Sequence, residues 1–173
     1  MISINVEIKA KIKNPLTIRS MLMEKGARFI GTDHQVDTYF HVQWGRLKLR
    51  QGNIEKNLVY YERPDIAGMK QSDFQIVSCQ EDEKLKNILS TALGVKIIVV
   101  KTREIYFIEN VKFHLDEVIP LGYFFEIEAG NLFSDIPLEK LREQCSYYQE
   151  AFHIPDADIL KGSYSDMLEQ NTI

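Results

Sequence analysis

Between residues 4 and 12 the chain alternates without a break: Ile4, Val6, Ile8, Ala10 and Ile12 on one side, Asn5, Glu7, Lys9 and Lys11 on the other. Side chains of a strand point to opposite faces with a period of two, so this segment predicts a strand with one apolar and one charged face. The pattern returns further on, with Lys48 beside Arg50, Lys101 beside Arg103, Lys112 beside His114 and Asp116, and Glu126 beside Glu128. Any one such strand is explained by a solvated outer face of an antiparallel sheet. The set as a whole is not, because the chain also carries amphipathic helices that need an apolar surface to cover. Faces such as Ile4/Val6/Ile8 and Phe125/Ile127/Ala129 supply that surface, which leaves the charged faces turned inward.

The helices are marked by their ends. Asn14-Pro15 reads as a cap and first position, followed by Leu16, Ile18, Met21 and Leu22 and a stop at Gly26. Ser78-Cys79-Gln80-Glu81 has the form of a capping box before Leu85, Ile88, Leu89, Ala92 and Leu93, whose spacing predicts a core-facing stripe. A third helix is expected over 137–152, with Leu138, Leu141, Cys145, Tyr148 and Phe152 on one side, and a short one over 163–169. Strands are expected within 35–63 as a meander, over 74–77, and at 96–108, 111–118 and 123–129, with tight turns that imply antiparallel hairpins. The fold class is α+β, and the whole span 1–173 is expected to be one domain.

Composition excludes several functions. The 173 residues have 45% hydrophobic content, a formal net charge of −4 and no basic excess, which argues against a nucleic-acid or membrane-surface partner. Cys79 and Cys145 are far apart in sequence, which suggests neither a disulfide framework nor a zinc site. No apolar run approaches a membrane span and the first residues carry charges where a secretory signal would not, so a reducing, cytoplasmic location is expected. There is no P-loop, dinucleotide-binding, His-Glu-x-x-His or kinase motif.

If the sheet curls into a barrel, its charged faces line a lumen in which basic strands surround an anion and acidic strands hold its cations. A polyphosphate requires this combination: Lys and Arg neutralise it, and carboxylates supply hard oxygen ligands to Mg²⁺ or Mn²⁺.

The segments Asn5-x-Glu7-x-Lys9-x-Lys11, Asp37-Thr38-Tyr39-Phe40, Arg46-Leu47-Lys48-Leu49-Arg50 and Tyr61-Glu62-Arg63-Pro64 occur in this order along the chain. Lys101-x-Arg103-x-x-Tyr106, His114-Leu115-Asp116-x-Val118-x-x-Leu121-Gly122, Glu126-x-Glu128 and Ser163-Tyr164-Ser165-Asp166-Met167-Leu168 follow them. In this order and spacing they resemble the CYTH, or triphosphate-tunnel, superfamily, and most closely its class IV adenylate cyclase-like branch. The resemblance implies an eight-stranded antiparallel closed β-barrel with helices packed outside. It also implies a metal-dependent enzyme acting on ATP, tripolyphosphate or thiamine triphosphate. Dimers occur in the family, so a homodimer is a further expectation.

By that resemblance and by charge, Glu7, Asp116, Glu126 and Glu128 are expected to hold Mg²⁺ or Mn²⁺. Lys9, Lys11, Lys48, Arg50, Arg63, Lys101, Arg103, Lys112 and His114 are expected to bind the triphosphate, with Glu7, Lys9 and Arg63 closest to the chemistry. The register leaves either Glu62 or Arg63 facing inward, and Arg63 is the expected one. The family signature's first Glu is Asn5 here, an amide with a weaker hold on a cation. Three functions are compatible with this site: cyclisation of ATP to cyclic AMP and pyrophosphate, hydrolysis of a triphosphate, and binding without turnover.

Overall fold

The computed structural model describes residues 3–66, 68–132 and 135–170. Eight strands are present: β1 (Ser3–Ile12), β2 (Arg28–Phe40), β3 (Arg46–Gln51), β4 (Lys56–Glu62), β5 (Lys70–Ser78), β6 (Val95–Ile108), β7 (Val111–Val118) and β8 (Gly122–Gly130). Among the described residues four α-helices accompany them, α1 (Pro15–Glu24), α2 (Asp82–Leu93), α3 (Leu138–Ala151) and α4 (Tyr164–Gln170), with a short 3-10 helix at Asp156–Asp158. The strands form a closed barrel in the order β1-β5-β4-β3-β2-β6-β7-β8, with β1 and β8 pairing to seal it and every neighbouring pair antiparallel. No described helix is long and apolar enough to cross a membrane.

The alternation in β1 is what lets it serve two environments. Val6, Ile8 and Ala10 are buried on the outer face, where they join Phe113, Leu115, Phe125, Ile127 and Ala129 of β7 and β8. α1 brings Ile18 and Leu22 to this cluster, and α3 brings Leu141 and Cys145, with Phe152 just beyond its end. Burying each large apolar side chain contributes about 1.5–3 kcal/mol, so this one-sided core is a main source of stability. Phe113 sits edge-on to Tyr148 with ring centroids 4.9 Å apart, which keys α3 to the sheet. α1 begins as its sequence implies: the Asn14 side chain accepts from the Leu16 N–H at 3.0 Å, and Gly26, just past the end, has φ +72°.

α2 differs from its sequence reading in two respects. Ser78 is still paired with Asn57 in the β4–β5 ladder, so it is a strand residue and not a cap; Glu81 occupies the cap position without a side-chain bond to the helix backbone. The helix stands near β2 and β3 with no buried residue, and Ile88 is 64% exposed. Its apolar stripe is therefore not core. β2 starts at Arg28 and not near Gln35, because residues 28–33 gain strand character by pairing with the C-terminal half of β6 across a bulge between Phe29 and Gly31. β5 likewise extends back to Lys70, where it pairs with Glu7 of β1.

Candidate active site

Because side chains alternate, each strand sends every second residue into the lumen. Asn5, Glu7 and Lys9 enter from β1, Asp37 and Tyr39 from β2, Lys48 and Arg50 from β3, and Asn57, Val59 and Tyr61 from β4, with Arg63 just beyond. Lys101 and Arg103 enter from β6, Lys112 from β7, and Glu126 and Glu128 from β8. They surround a cavity of about 780 Å³, within the usual size range of small-molecule sites.

Of the residues expected from sequence, Glu7, Lys9, Lys48, Arg50, Arg63, Lys101, Arg103, Lys112, Glu126 and Glu128 line this cavity. Lys11, His114 and Asp116 do not. Lys11 is solvent-exposed, one step past Lys9, with its Nζ 6.0 Å from the centre of the Phe124 ring. Asp116 is buried behind the cavity surface and fully engaged: Arg103 donates to it through Nε at 2.7 Å and Nη2 at 2.6 Å, and the Tyr164 hydroxyl donates at 2.7 Å. It anchors Arg103 from behind and does not itself line the cavity. His114 is buried too, and burial together with the nearby Arg103 cation pushes it down to about 3. A neutral imidazole adds no charge against a phosphate, so His114 belongs to the acidic wall, where its Nδ1 lies 3.1 Å from Glu126.

Sequence reasoning assigned no role to two carboxylates that dominate the site's electrostatics. Asp37 accepts from Arg50 Nε at 2.9 Å, Lys48 Nζ at 3.1 Å and Lys101 Nζ at 2.6 Å. Burial opposes its ionisation, yet Arg50, Lys101 and Lys48 hold it well below the usual carboxylate range. Glu55, in the β3–β4 turn, accepts from Arg50 and Lys112. The alternation Asp37-x-Tyr39 carried a signal for the first; a turn residue such as Glu55 has no periodicity to betray it. With these two in place, each of the seven lining cations among the described residues rests on a carboxylate. Lys9 is on Glu126 at 2.9 Å, Arg63 is on Glu7, and Arg103 is on Asp116 and Glu126. The lumen is close to internally neutral.

Arg63 is a partial exception. Its Nη1 donates to Glu7, but Nε and Nη2 are buried without a partner. A buried donor left unpaired costs about 1–3 kcal/mol, so this guanidinium presents unused capacity for an anion.

The acidic wall is the counterpart. Ligand atoms of His114, Glu126 and Glu128 lie within 4.8 Å of one another, and Glu7 stands directly across from Glu128 in the β1–β8 ladder. Burial and the Glu126 and Glu7 carboxylates push Glu128 up to about 7. A carboxylate whose pKa is raised by burial and by neighbouring carboxylates is what a divalent cation relieves, so these residues fit a Mg²⁺ or Mn²⁺ ion.

One end of the lumen is capped. Tyr164, at the start of α4, lines the cavity floor, its ring 4.1 Å from Lys9 Nζ, and packs with Tyr39, Tyr61, Val99, Val118, Leu121 and Phe124. Lys70 donates to the Leu160 carbonyl and ties the preceding segment down. The opposite end is rimmed by apolar groups, Ile30, Ile54, Ile76, Phe107 and Leu132.

Residues 3–163 match the family model described as the CYTH domain. The chain is 30% identical over 177 residues to a protein of Methanocaldococcus jannaschii named "Putative adenylate cyclase", covering 95% of this chain and 98% of that one. It is similar in fold to the PH1012 protein of Pyrococcus horikoshii, with a TM-score of 0.78, 23% identity and coverage of 94% and 98%. A Hippeastrum protein described as a "putative adenylyl cyclase" with a dominant triphosphatase activity gives a TM-score of 0.61 at 12% identity, covering 97% and 95%. Family match, barrel topology and charge-lined lumen agree: the chain belongs to the CYTH family, whose members act on triphosphate substrates.

Proposed function

We propose that the protein is a metal-dependent enzyme acting on a nucleoside triphosphate, with ATP cyclised to cyclic AMP and pyrophosphate as the first reading. The observation that carries triphosphate binding is Arg63, which keeps two buried donors unpaired among six further cations. Lys48, Arg50, Lys101, Arg103 and Lys112 would take up the phosphate oxygens, with Arg63 and Lys9 placed to stabilise charge on the leaving group. Glu7 holds Arg63 in position and, with Glu126 and Glu128, would hold Mg²⁺ or Mn²⁺. Bound there, the ion supplies Lewis-acid neutralisation of the phosphates. The apolar rim of Ile30, Ile54, Ile76 and Phe107 favours a substrate with an organic end over a bare polyphosphate chain. Such a substrate and two free cysteines fit a reducing, cytoplasmic setting.

The attacking group decides the product. A ribose 3′-hydroxyl on the α-phosphate gives cyclic AMP; water on the γ-phosphate gives hydrolysis, a second reading supported by the activity ascribed to the Hippeastrum protein. Purified protein incubated with ATP, tripolyphosphate or thiamine triphosphate plus Mg²⁺ or Mn²⁺, with cyclic AMP and phosphate release both measured, separates the two. Binding without turnover of any of them leaves a nucleotide-binding module and discards both enzyme readings.

A further inference from the structure

The turn between β3 and β4 is built with unusual care for a surface loop. The Asp33 carboxylate, fully buried, accepts from the backbone N–H of Ile54 at 2.8 Å and of Glu55 at 3.0 Å, and from Gln35 Nε2 at 2.7 Å. The Gly52 N–H closes the turn on the Glu55 carbonyl at 3.0 Å. A Cβ at Gly52 would lie 2.5 Å from Asp33 Oδ1, so only glycine permits this approach.

The effect is to fix where the Glu55 side chain goes. Its Oε2 accepts from Arg50 Nη1 at 2.7 Å and from Gln35 Nε2 at 3.1 Å, and its Oε1 accepts from Lys112 Nζ. Arg50 is on β3 and Lys112 on β7, and β2 and β6 stand between these strands in the ring. One carboxylate on a pinned turn therefore ties two separated walls together beside the cavity. Although burial opposes its charge, Arg50 and Lys112 hold Glu55 well below the usual carboxylate range, so it is an anion at any working pH. Two oxygens shared between a guanidinium and an ammonium are also how a phosphate group would be held.

We propose that Glu55 is a built-in competitor for the triphosphate, holding Arg50 and Lys112 until a polyphosphate displaces it, and so setting a minimum charge for ligands that enter. The inference rests on the reading of the lumen as a triphosphate site. A singly phosphorylated anion offers too little to replace a pinned carboxylate, whereas a chain of phosphates gains the other lumen cations as well. Specificity for polyphosphates then comes from a group that opposes binding as much as from those that favour it.

Calorimetric titration with inorganic tripolyphosphate and with orthophosphate, without divalent metal, tests this on wild type and Glu55→Gln. The variant is expected to bind tripolyphosphate about tenfold tighter, the order of one charge-assisted hydrogen bond no longer contested, and to acquire measurable orthophosphate binding. Glu55→Asp keeps the charge but is one methylene short of spanning both cations, so it should tighten tripolyphosphate binding by a smaller factor; it carries the test if the Gln variant does not fold. Wild type that binds tripolyphosphate while neither variant binds it more tightly overturns the competitor role and leaves the triphosphate site standing. If wild type binds neither tripolyphosphate nor ATP, even with Mn²⁺ added, the triphosphate reading fails and the competitor role with it.

Discussion

Lys101 Nζ meets Asp37 Oδ2 at 2.6 Å with both side chains only 1% exposed. Asp37 also receives Arg50 and Lys48, so one carboxylate on β2 compensates three cations on the two strands that flank it, β3 and β6. Removing one partner of a buried ion pair typically costs about 3–5 kcal/mol because the remaining charge is stranded. Asp37→Ala should lower the urea midpoint by a corresponding amount, and saturating tripolyphosphate should recover much of the loss by replacing the missing anion. An unchanged midpoint would mean that the cations relax into water and that the cluster is not structural.

The same pair sets a pH dependence. Burial, opposed by Asp37 but aided by the Arg50, Arg103 and Lys48 cations, brings Lys101 down to about 7 from an ordinary lysine value. In the free protein the ammonium fraction therefore falls as pH rises through about 7, and an anion that needs the charge must restore the proton on binding. Tripolyphosphate affinity should decline as pH rises above 7, with proton uptake visible as a buffer-dependent binding enthalpy. In Lys101→Met the uptake should disappear; its persistence would assign the titration elsewhere.

Asn5 sits opposite Gly130 on β8, two residues from both Glu7 and Glu128 in the ladder, and its Oδ1 is buried without a partner. Asn5→Glu adds a carboxylate to an already crowded wall. Mn²⁺ should bind the variant more tightly than wild type, and activity with ATP should rise. The metal-free variant should melt earlier, since nothing offsets the added like charge. Equal Mn²⁺ affinity in both proteins would show that position 5 does not reach the ion.

His114 Nδ1 lies 3.1 Å from Glu126 and would act on a metal ion through it. Partners that orient a metal-binding group are commonly worth about 10–100-fold in metal affinity. His114→Ala should lower Mn²⁺ affinity within that range while metal-free tripolyphosphate binding changes little, because a neutral ring contributes no charge to the basic wall. Loss of tripolyphosphate binding in equal measure would return His114 to the phosphate ligands.

How far the sequence reveals this site depends on whether a residue sits in a regular strand. Glu7, Lys9, Lys48, Arg50, Lys101, Arg103, Glu126 and Glu128 are visible because period-two alternation places them and the helices claim the other face. Lys11 follows the same alternation but falls outside the cavity, since period says which face a side chain takes and not how far along the barrel the lumen reaches. Asp116 and His114 face inward yet are screened by neighbours, a matter of depth that no one-dimensional pattern encodes. Glu55 enters from a turn, where direction is set by Asp33, more than twenty residues away. The α2 stripe has helical spacing without burial, so periodicity there reports an amphipathic helix and not what it packs against.

The α4 cap gives the barrel a floor. With Tyr164 there, the proposed substrate would follow a first-in, last-out rule at the other end: its phosphate tail, drawn to the deep cations, would enter ahead of the organic end and leave behind it. A cyclic nucleotide would clear the rim first, and pyrophosphate, still held among Lys48, Arg50 and Arg103, would follow. Added pyrophosphate should then compete directly with substrate.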